Sequence, residues 1–169
     1  MEKNPRHTGA LFNKGLALLE IKKSKEALNS FDQVLQLEPG NSDALYKKGT
    51  ALDSLGRLEE ALEVYDKALK INPDAPTWYR KGLIFVELGR TEASVLCFKK
   101  VLELEPECGI AWYEIGIAAG KSGRYEEALE SFGHALESKP KNAEACYAKG
   151  MVFAKLGDCL LYTSDAADE

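Results

Sequence analysis

The 169-residue chain is short of the features that announce chemistry. Its four cysteines, Cys97, Cys108, Cys146 and Cys159, are widely and irregularly spaced with no CxxC pair. They therefore indicate neither a zinc site nor a disulfide framework, and a reduced cytosolic setting is expected. His7 and His134 each stand without a second ligand at metal spacing, so no metal and no cofactor is expected. No apolar run approaches the roughly 18 residues that would span a bilayer, and no N-terminal stretch has the regions of a secretory signal. There is no Lys/Arg block, and the formal charge is −5, which lacks the electrostatic footprint of a nucleic-acid binder. Gly116 to Ser122, GIAAGKS, resembles the end of a P-loop, but three residues separate the glycines where four are required and no strand precedes them. The pairs Glu59-Glu60 and Glu126-Glu127 are adjacent acids whose side chains diverge by about 100° on a helix, and they read as first-turn acids favoured by the helix dipole.

What the chain has is repetition. The stretch Ser42 to Pro73 supplies a template whose marks return at one period. Glycines at Gly15, Gly49, Gly82, Gly116 and Gly150 are spaced by 34, 33, 34 and 34 residues. Prolines at Pro5, Pro39, Pro73, Pro106 and Pro140 follow by 34, 34, 33 and 34. The short step falls between Pro73 and Gly82, as one deleted residue in one loop would produce. Three further columns share the register: Gly56, Gly89, Gly123 and Gly157; Phe31, Tyr65, Phe98 and Phe132; and the small residues Ala27, Ala61, Ser94 and Ala128.

Within each period apolar residues recur at helical spacing in two bursts, which predicts helix pairs at about 9–21 with 24–37, 42–55 with 58–71, 76–88 with 91–104 and 109–122 with 125–138, then a lone helix at 143–156. Glycine and alanine where two helices cross permit close approach. Proline stops each second helix, the later glycines end the first helices in the left-handed conformation, and Asn41 and Asn142 offer caps.

These columns resemble the tetratricopeptide repeat family, whose 34-residue helix-turn-helix unit carries Trp/Leu, Leu-Gly, Tyr, Ala, Phe, Ala and Pro at fixed places. The Trp/Leu place holds Leu11, Leu45, Trp78, Trp112 and Cys146, and the later Ala place holds Val34, Ala68, Val101 and Ala135. Lys22 stands where an inner-turn glycine is expected, and Ser94 where an alanine is. The resemblance implies an all-α, right-handed superhelical solenoid of antiparallel helix pairs. Its domains would be the end of a truncated preceding repeat at 1–7, repeats at 8–41, 42–74, 75–108 and 109–142, and the first helix of a fifth repeat at 143–158. Residues 159–169, CLLYTSDAADE, are similar to an in-frame translation of a sequencing adaptor and are expected to be a non-native tail, disordered or loosely docked. Tyr162 would otherwise occupy the place of Ala27, Ala61, Ser94 and Ala128. Faces around Val152, Phe153 and Leu156 are then expected to be under-covered.

In this family the fifth, ninth and twelfth places of the first helices point into a concave groove. By resemblance the peptide-binding groove is lined by Phe12, Leu16, Tyr46, Thr50, Asp53, Tyr79, Leu83, Val86, Tyr113, Ile117, Tyr147 and Met151, with Leu19, Gly120 and Ala154 completing the twelfth place. Tyrosine joins large contact area to a hydroxyl that can meet a peptide backbone, although at this place it also packs between repeats. The Lys/Asn/Arg set with which some members hold chaperone C-termini is absent, and Glu114 would repel a carboxylate. The implied function is a cytoplasmic, non-enzymatic scaffold for a protein or peptide partner. The interaction arm of a larger enzyme, or an array that self-associates end to end, are the alternatives.

Overall fold

A computed structural model describes the backbone of residues 5–165 and the side chains of residues 7–157. Among the described residues the secondary structure is nine α-helices: α1 (Pro5–Glu20), α2 (Ser24–Leu37), α3 (Ser42–Asp53), α4 (Leu58–Ile71), α5 (Ala75–Glu87), α6 (Thr91–Leu104), α7 (Gly109–Lys121), α8 (Tyr125–Ser138) and α9 (Ala143–Asp165). They form two compact units, Met1–Leu88 and Gly89–Glu169, and the division falls at the turn between α5 and α6. In the first unit each helix packs on the next from α1 to α5; in the second the same holds from α6 to α9.

Helix ends are set by backbone chemistry at the expected places. Helices α2, α4, α6 and α8 stop two residues before a proline, and the intervening residues Glu38, Asn72, Glu105 and Lys139 leave helical geometry, with φ of −133°, −138°, −133° and −140°. Proline disfavours helical geometry in its predecessor, which accounts for all four. The first helices close with the left-handed residues Gly56 (φ 71°), Gly89 (68°) and Gly123 (74°). Lys22, at the same place after α1, adopts φ 60° without being glycine. The turns after α1, α3 and α7 share one hydrogen-bond pattern, in which the residue after the left-handed one donates five residues back: Lys23 to Leu18, Arg57 to Leu52 and Arg124 to Ala119. Side-chain caps come from Asn41, which accepts from the Ala44 amide at 2.9 Å, and from Asn142, which accepts from Glu144 and Ala145 at 3.1 and 3.2 Å. At α5 the role passes to Asp74, which accepts from the Thr77 amide at 2.8 Å.

Cores form where the columns meet. The small residues Ala27, Ala61, Ser94 and Ala128 are wholly buried, as are the rings of Phe31, Tyr65, Phe98 and Phe132. In three of the crossings a first-helix glycine is the seat for a second-helix ring. A Cβ on Gly15 would lie 2.6 Å from Phe31, on Gly49 2.5 Å from Tyr65, and on Gly116 2.7 Å from Phe132. Real side chains do not approach so closely, so glycine here sets the separation of the helices. Cys97 is 4% exposed, a core residue as its place on an apolar helix face suggested.

Three expectations need correction. Helix α1 begins at Pro5 rather than near residue 9, and proline is tolerated there because the first helical position needs no amide donor. Residues 1–4 lie outside the described part. Helix α9 runs through Gly157 to Asp165 rather than ending near 156. Glycine permits a left-handed turn without enforcing one, and the small residue over which a returning helix would cross is replaced in sequence by Tyr162, so the chain continues straight. The side chains of Cys159 and Tyr162 lie outside the described residues. Third, Val152 is covered, being 7% exposed against Ala119, Ala128 and Phe132, whereas Phe153 is 54% exposed.

Candidate functional site

The fifth-place aromatics serve two surfaces at once. In the first unit Phe12 meets Phe31 edge-on at 5.8 Å between centroids and Tyr46 meets Tyr65 at 5.9 Å; in the second, Tyr113 meets Phe132 at 5.8 Å. Each therefore packs one edge on the ring that fills its own repeat and leaves the other side half-exposed. Leu16 and Leu19 join the cluster of Leu18, Ala27 and Phe31. Tyr79 and Leu83 on α5 are half-buried, and Val86 is exposed.

In the first unit the ladder is polar around α3 and α5. The Thr50 hydroxyl donates to the Tyr46 carbonyl at 3.1 Å and lies 3.4 Å from the Tyr65 hydroxyl. Burial pushes Tyr65 up to about 12, partly offset by its contact with Thr50. Arg80, which the groove places do not include, donates to Tyr46 and faces Asp53. Burial raises the Asp53 carboxyl above the ordinary range; Arg80 opposes this shift and Glu87 adds to it. Burial works against the Arg80 charge, but the Tyr46 hydrogen bond and the neighbouring Tyr65 and Asp53 together raise its pKa. Sequence reasoning missed Arg80 because it sits one place beyond the fifth, where periodic columns carry no mark.

The second unit differs. Between α7, α8 and α9 lies an apolar cavity of about 390 Å³, lined by Tyr113, Ile117, Gly120, Tyr147 and Met151 from the ladder and by Tyr125, Phe132, Ala148 and Val152 beneath. Five ladder residues from two first helices thus share one space. Gly120 helps to keep it open: its missing Cβ would meet only Val152 and Ala128, at 3.6 and 3.8 Å, so a longer side chain would project over them. Glu144, Lys121 and Lys155 add charges at the lining. Burial raises Glu114 above the ordinary carboxylate range, with Lys121 opposing and Glu144 reinforcing the shift. Tyr113 is raised by burial and by the same two acids. Tyr147 is 71% exposed and Met151 46%, so α9 offers this wall openly.

A second depression, of about 550 Å³, opens between α2, α3 and α4 and was not foreseen. Its lining is of mixed charge and partly self-satisfied, with Lys48 paired to Asp32 and Arg57 to Glu60.

Comparison with protein families now decides the lineage. Models described as "Tetratricopeptide repeat" match residues 12–76 and 75–108, and one described as "TPR repeat" matches 120–157, so that together they span most of the chain. The chain is a tetratricopeptide repeat protein. No curated protein matches it in sequence. Among solved structures, this repeat protein superposes on MamA 41-end from Desulfovibrio magneticus RS-1 with a TM-score of 0.82 and 22% identity, covering 99% of this chain and 93% of that one. A tetratricopeptide repeat protein from Parabacteroides merdae gives 0.84 and 24%, over 90% of this chain and 61% of that chain. YrrB, described as "a TPR protein with an unusual peptide-binding site", gives 0.74 and 24%, over 87% and 76%. These likenesses establish an all-α helical-repeat solenoid. A fold of this kind is typically a non-catalytic scaffold for protein–protein interaction, and no described helix is long and apolar enough to cross a membrane.

Proposed function

We propose that the chain binds an extended segment or helix of a partner protein through its ladder faces, and that the strongest anchor is the cavity between α7 and α9. The observation that carries this reading is that cavity. Two aromatic and two aliphatic ladder side chains, Tyr113, Tyr147, Ile117 and Met151, converge on a space of about 390 Å³, large enough for a leucine or aromatic side chain. Its tyrosine hydroxyls, with Glu144, Lys121 and Lys155 in the lining, favour a segment that pairs an apolar anchor with flanking polar groups. In the first unit Phe12, Leu16, Tyr46, Thr50, Asp53, Tyr79, Leu83 and Val86 hold the corresponding places, and among them Tyr46, Thr50, Asp53 and Tyr79 carry hydrogen-bonding groups. The peptide-binding site of the structural neighbour YrrB supports the same class of ligand.

The test is selection of a displayed random-peptide library on the immobilised chain, followed by titration of the enriched peptides. Enrichment of sequences with a large apolar anchor flanked by polar residues is expected. Substitution Gly120→Leu, which fills the cavity, should weaken them by tenfold or more, and Tyr113→Ala by about 1 kcal/mol or more. Peptides whose affinity ignores Gly120→Leu, Tyr113→Ala and the first-unit change Tyr79→Ala, while helicity is intact, would place recognition elsewhere.

A further inference from the structure

The charged residues that line the apolar cavity, Glu144, Lys121 and Lys155, give it two unlike ends. On α9 the lining residues Glu144, Ala148, Met151 and Lys155 recur at helical spacing and share one face. Glu144 and Lys155 are 11 residues apart in sequence, which along a helix is about 16 Å. Two contacts set the register of α7 against α9. Tyr113, whose hydroxyl is raised by burial, is raised further by Glu144, and a Cβ on Gly120 would lie 3.6 Å from Val152. A step of 7 residues along α7 thus matches one of 8 along α9 in the same direction, so the two helices run parallel. Lys121 therefore comes to the Lys155 end, and half-buried Glu114, beside Tyr113, comes to the Glu144 end. Each helix terminus carries about half a charge of the opposite sign, which weakens the two ends without reversing them. Glu144, Lys121 and Lys155 are exposed, and none forms an ion pair with another described residue. In the depression between α2, α3 and α4, by contrast, Lys48 and Arg57 are paired with acids of the same lining.

On the reading that this cavity is the anchor site, we propose that its occupant is an extended protein segment with a cation and an anion about five residues apart, one on either side of the apolar anchor. The cation lies over Glu144 and the anion between Lys121 and Lys155. The spacing follows from the chain's own geometry, since an extended segment advances about 3.3 Å per residue and covers about 16 Å in five. A helical segment would need about eleven residues for the same separation. A segment of one sign gains at one end of the cavity and loses at the other, so purely basic and purely acidic partners are both disfavoured. Charge placement selects the partner here, and net charge does not.

Fluorescence-polarisation titration of the full chain with a focused set of synthetic peptides provides the test. Each peptide has blocked ends, one leucine or phenylalanine anchor, and lysine, glutamate or glutamine placed two residues to one side of it and three to the other, in both orders. At low salt each matched flank should improve affinity about threefold, and the mixed-sign pair roughly tenfold, over glutamine on both sides. Lysine on both sides, or glutamate on both, should give no such gain. Glu144→Gln should erase the lysine gain alone, and Lys121→Gln with Lys155→Gln the glutamate gain alone, which assigns each flank to its end. Both gains should shrink in about 1 M salt. If glutamine-flanked peptides bind and are weakened by Gly120→Leu, yet mixed charge adds nothing, the cavity remains the anchor and the charge pattern is overturned. Tightest binding by like-charged flanks, or by charges spaced about eleven residues apart in longer peptides, overturns it as well. Failure of every peptide to bind at about 1 mM overturns the anchor site and the charge pattern together.

Discussion

The ladder around α3 and α5 in the first unit and that around α7 and α9 in the second are made at the same places of the same repeat, yet one is polar and the other hollow. Around Tyr46 the neighbours are the polar residues Thr50, Asp53 and Arg80, of which Thr50 donates to the Tyr46 carbonyl and Arg80 to the Tyr46 side chain. Around Tyr113 they are Ile117, Gly120 and Met151, which leave a space. The buried columns beneath are alike in both: a glycine, a ring and a small residue. Fold and lining are therefore separable. The backbone needs its columns and is indifferent to what the ladder displays, so one scaffold can present a hydrogen-bonding surface and an apolar anchor site within one chain.

If the columns are equivalent, breaking them should cost both units alike. Gly49→Ala and Gly116→Ala each force a Cβ against a buried ring and should destabilise their units by about 2–3 kcal/mol. Thermal unfolding read in single-tryptophan variants, at Trp78 in the first unit and Trp112 in the second, measures each separately. A large loss in one and none in the other would end the equivalence. The ladders, by contrast, should respond differently. Arg80→Ala removes the cation that serves half-buried Tyr46 and Asp53 and should cost about 1 kcal/mol, recovered in part by also making Asp53→Asn. No such coupling is expected between Ile117 and Met151.

A further contrast can be erased. Lys48 pairs with Asp32 and Lys81 with Asp66, whereas the corresponding acid near Lys149 is replaced by Gly133, whose Cβ would lie 4.0 Å from the lysine nitrogen. Gly133→Asp should stabilise the second unit by about 0.5–1 kcal/mol by restoring the pair and removing a mid-helix glycine; urea titration checks it. The smallest effect concerns Glu114. Its folded pKa lies above the unfolded value, so its ionisation opposes folding: stability is lost as pH rises through the interval between the two pKa values, and the penalty persists above it. Glu114→Gln should raise the melting temperature at pH 7 and change nothing near pH 3, where the carboxyl is protonated in both states.

Much of this fold was legible because its marks are backbone constraints. A residue before proline, a left-handed glycine and a glycine beneath a ring each admit few alternatives, and so they recur where the eye can count them. Lys22 shows the limit of such marks: its turn forms with the wrong residue because the hydrogen bonds on both sides impose it. The ladder was legible as places and not as chemistry. Gly120 appeared in its column, but a column does not show that the atoms around it leave 390 Å³ empty. Arg80 reaches the site from an unmarked place. The continuation of α9 through Gly157 was hidden because glycine states what the chain can do at a turn, and only a returning helix makes it turn.

The connection between α4 and α5 is Asn72, Pro73 and Asp74, three residues where the comparable connections have four, such as Glu38 to Asn41. The lost residue costs the architecture nothing visible, since Asp74 takes over the cap and both helices keep their phase. The same loss inside a helix would rotate everything beyond it by about 100° and carry a ring off its glycine. Length variation in this chain is thus tolerated in one kind of place only. The segments that follow the prolines are where tags, probes or new loops can be inserted without disturbing the register of the array.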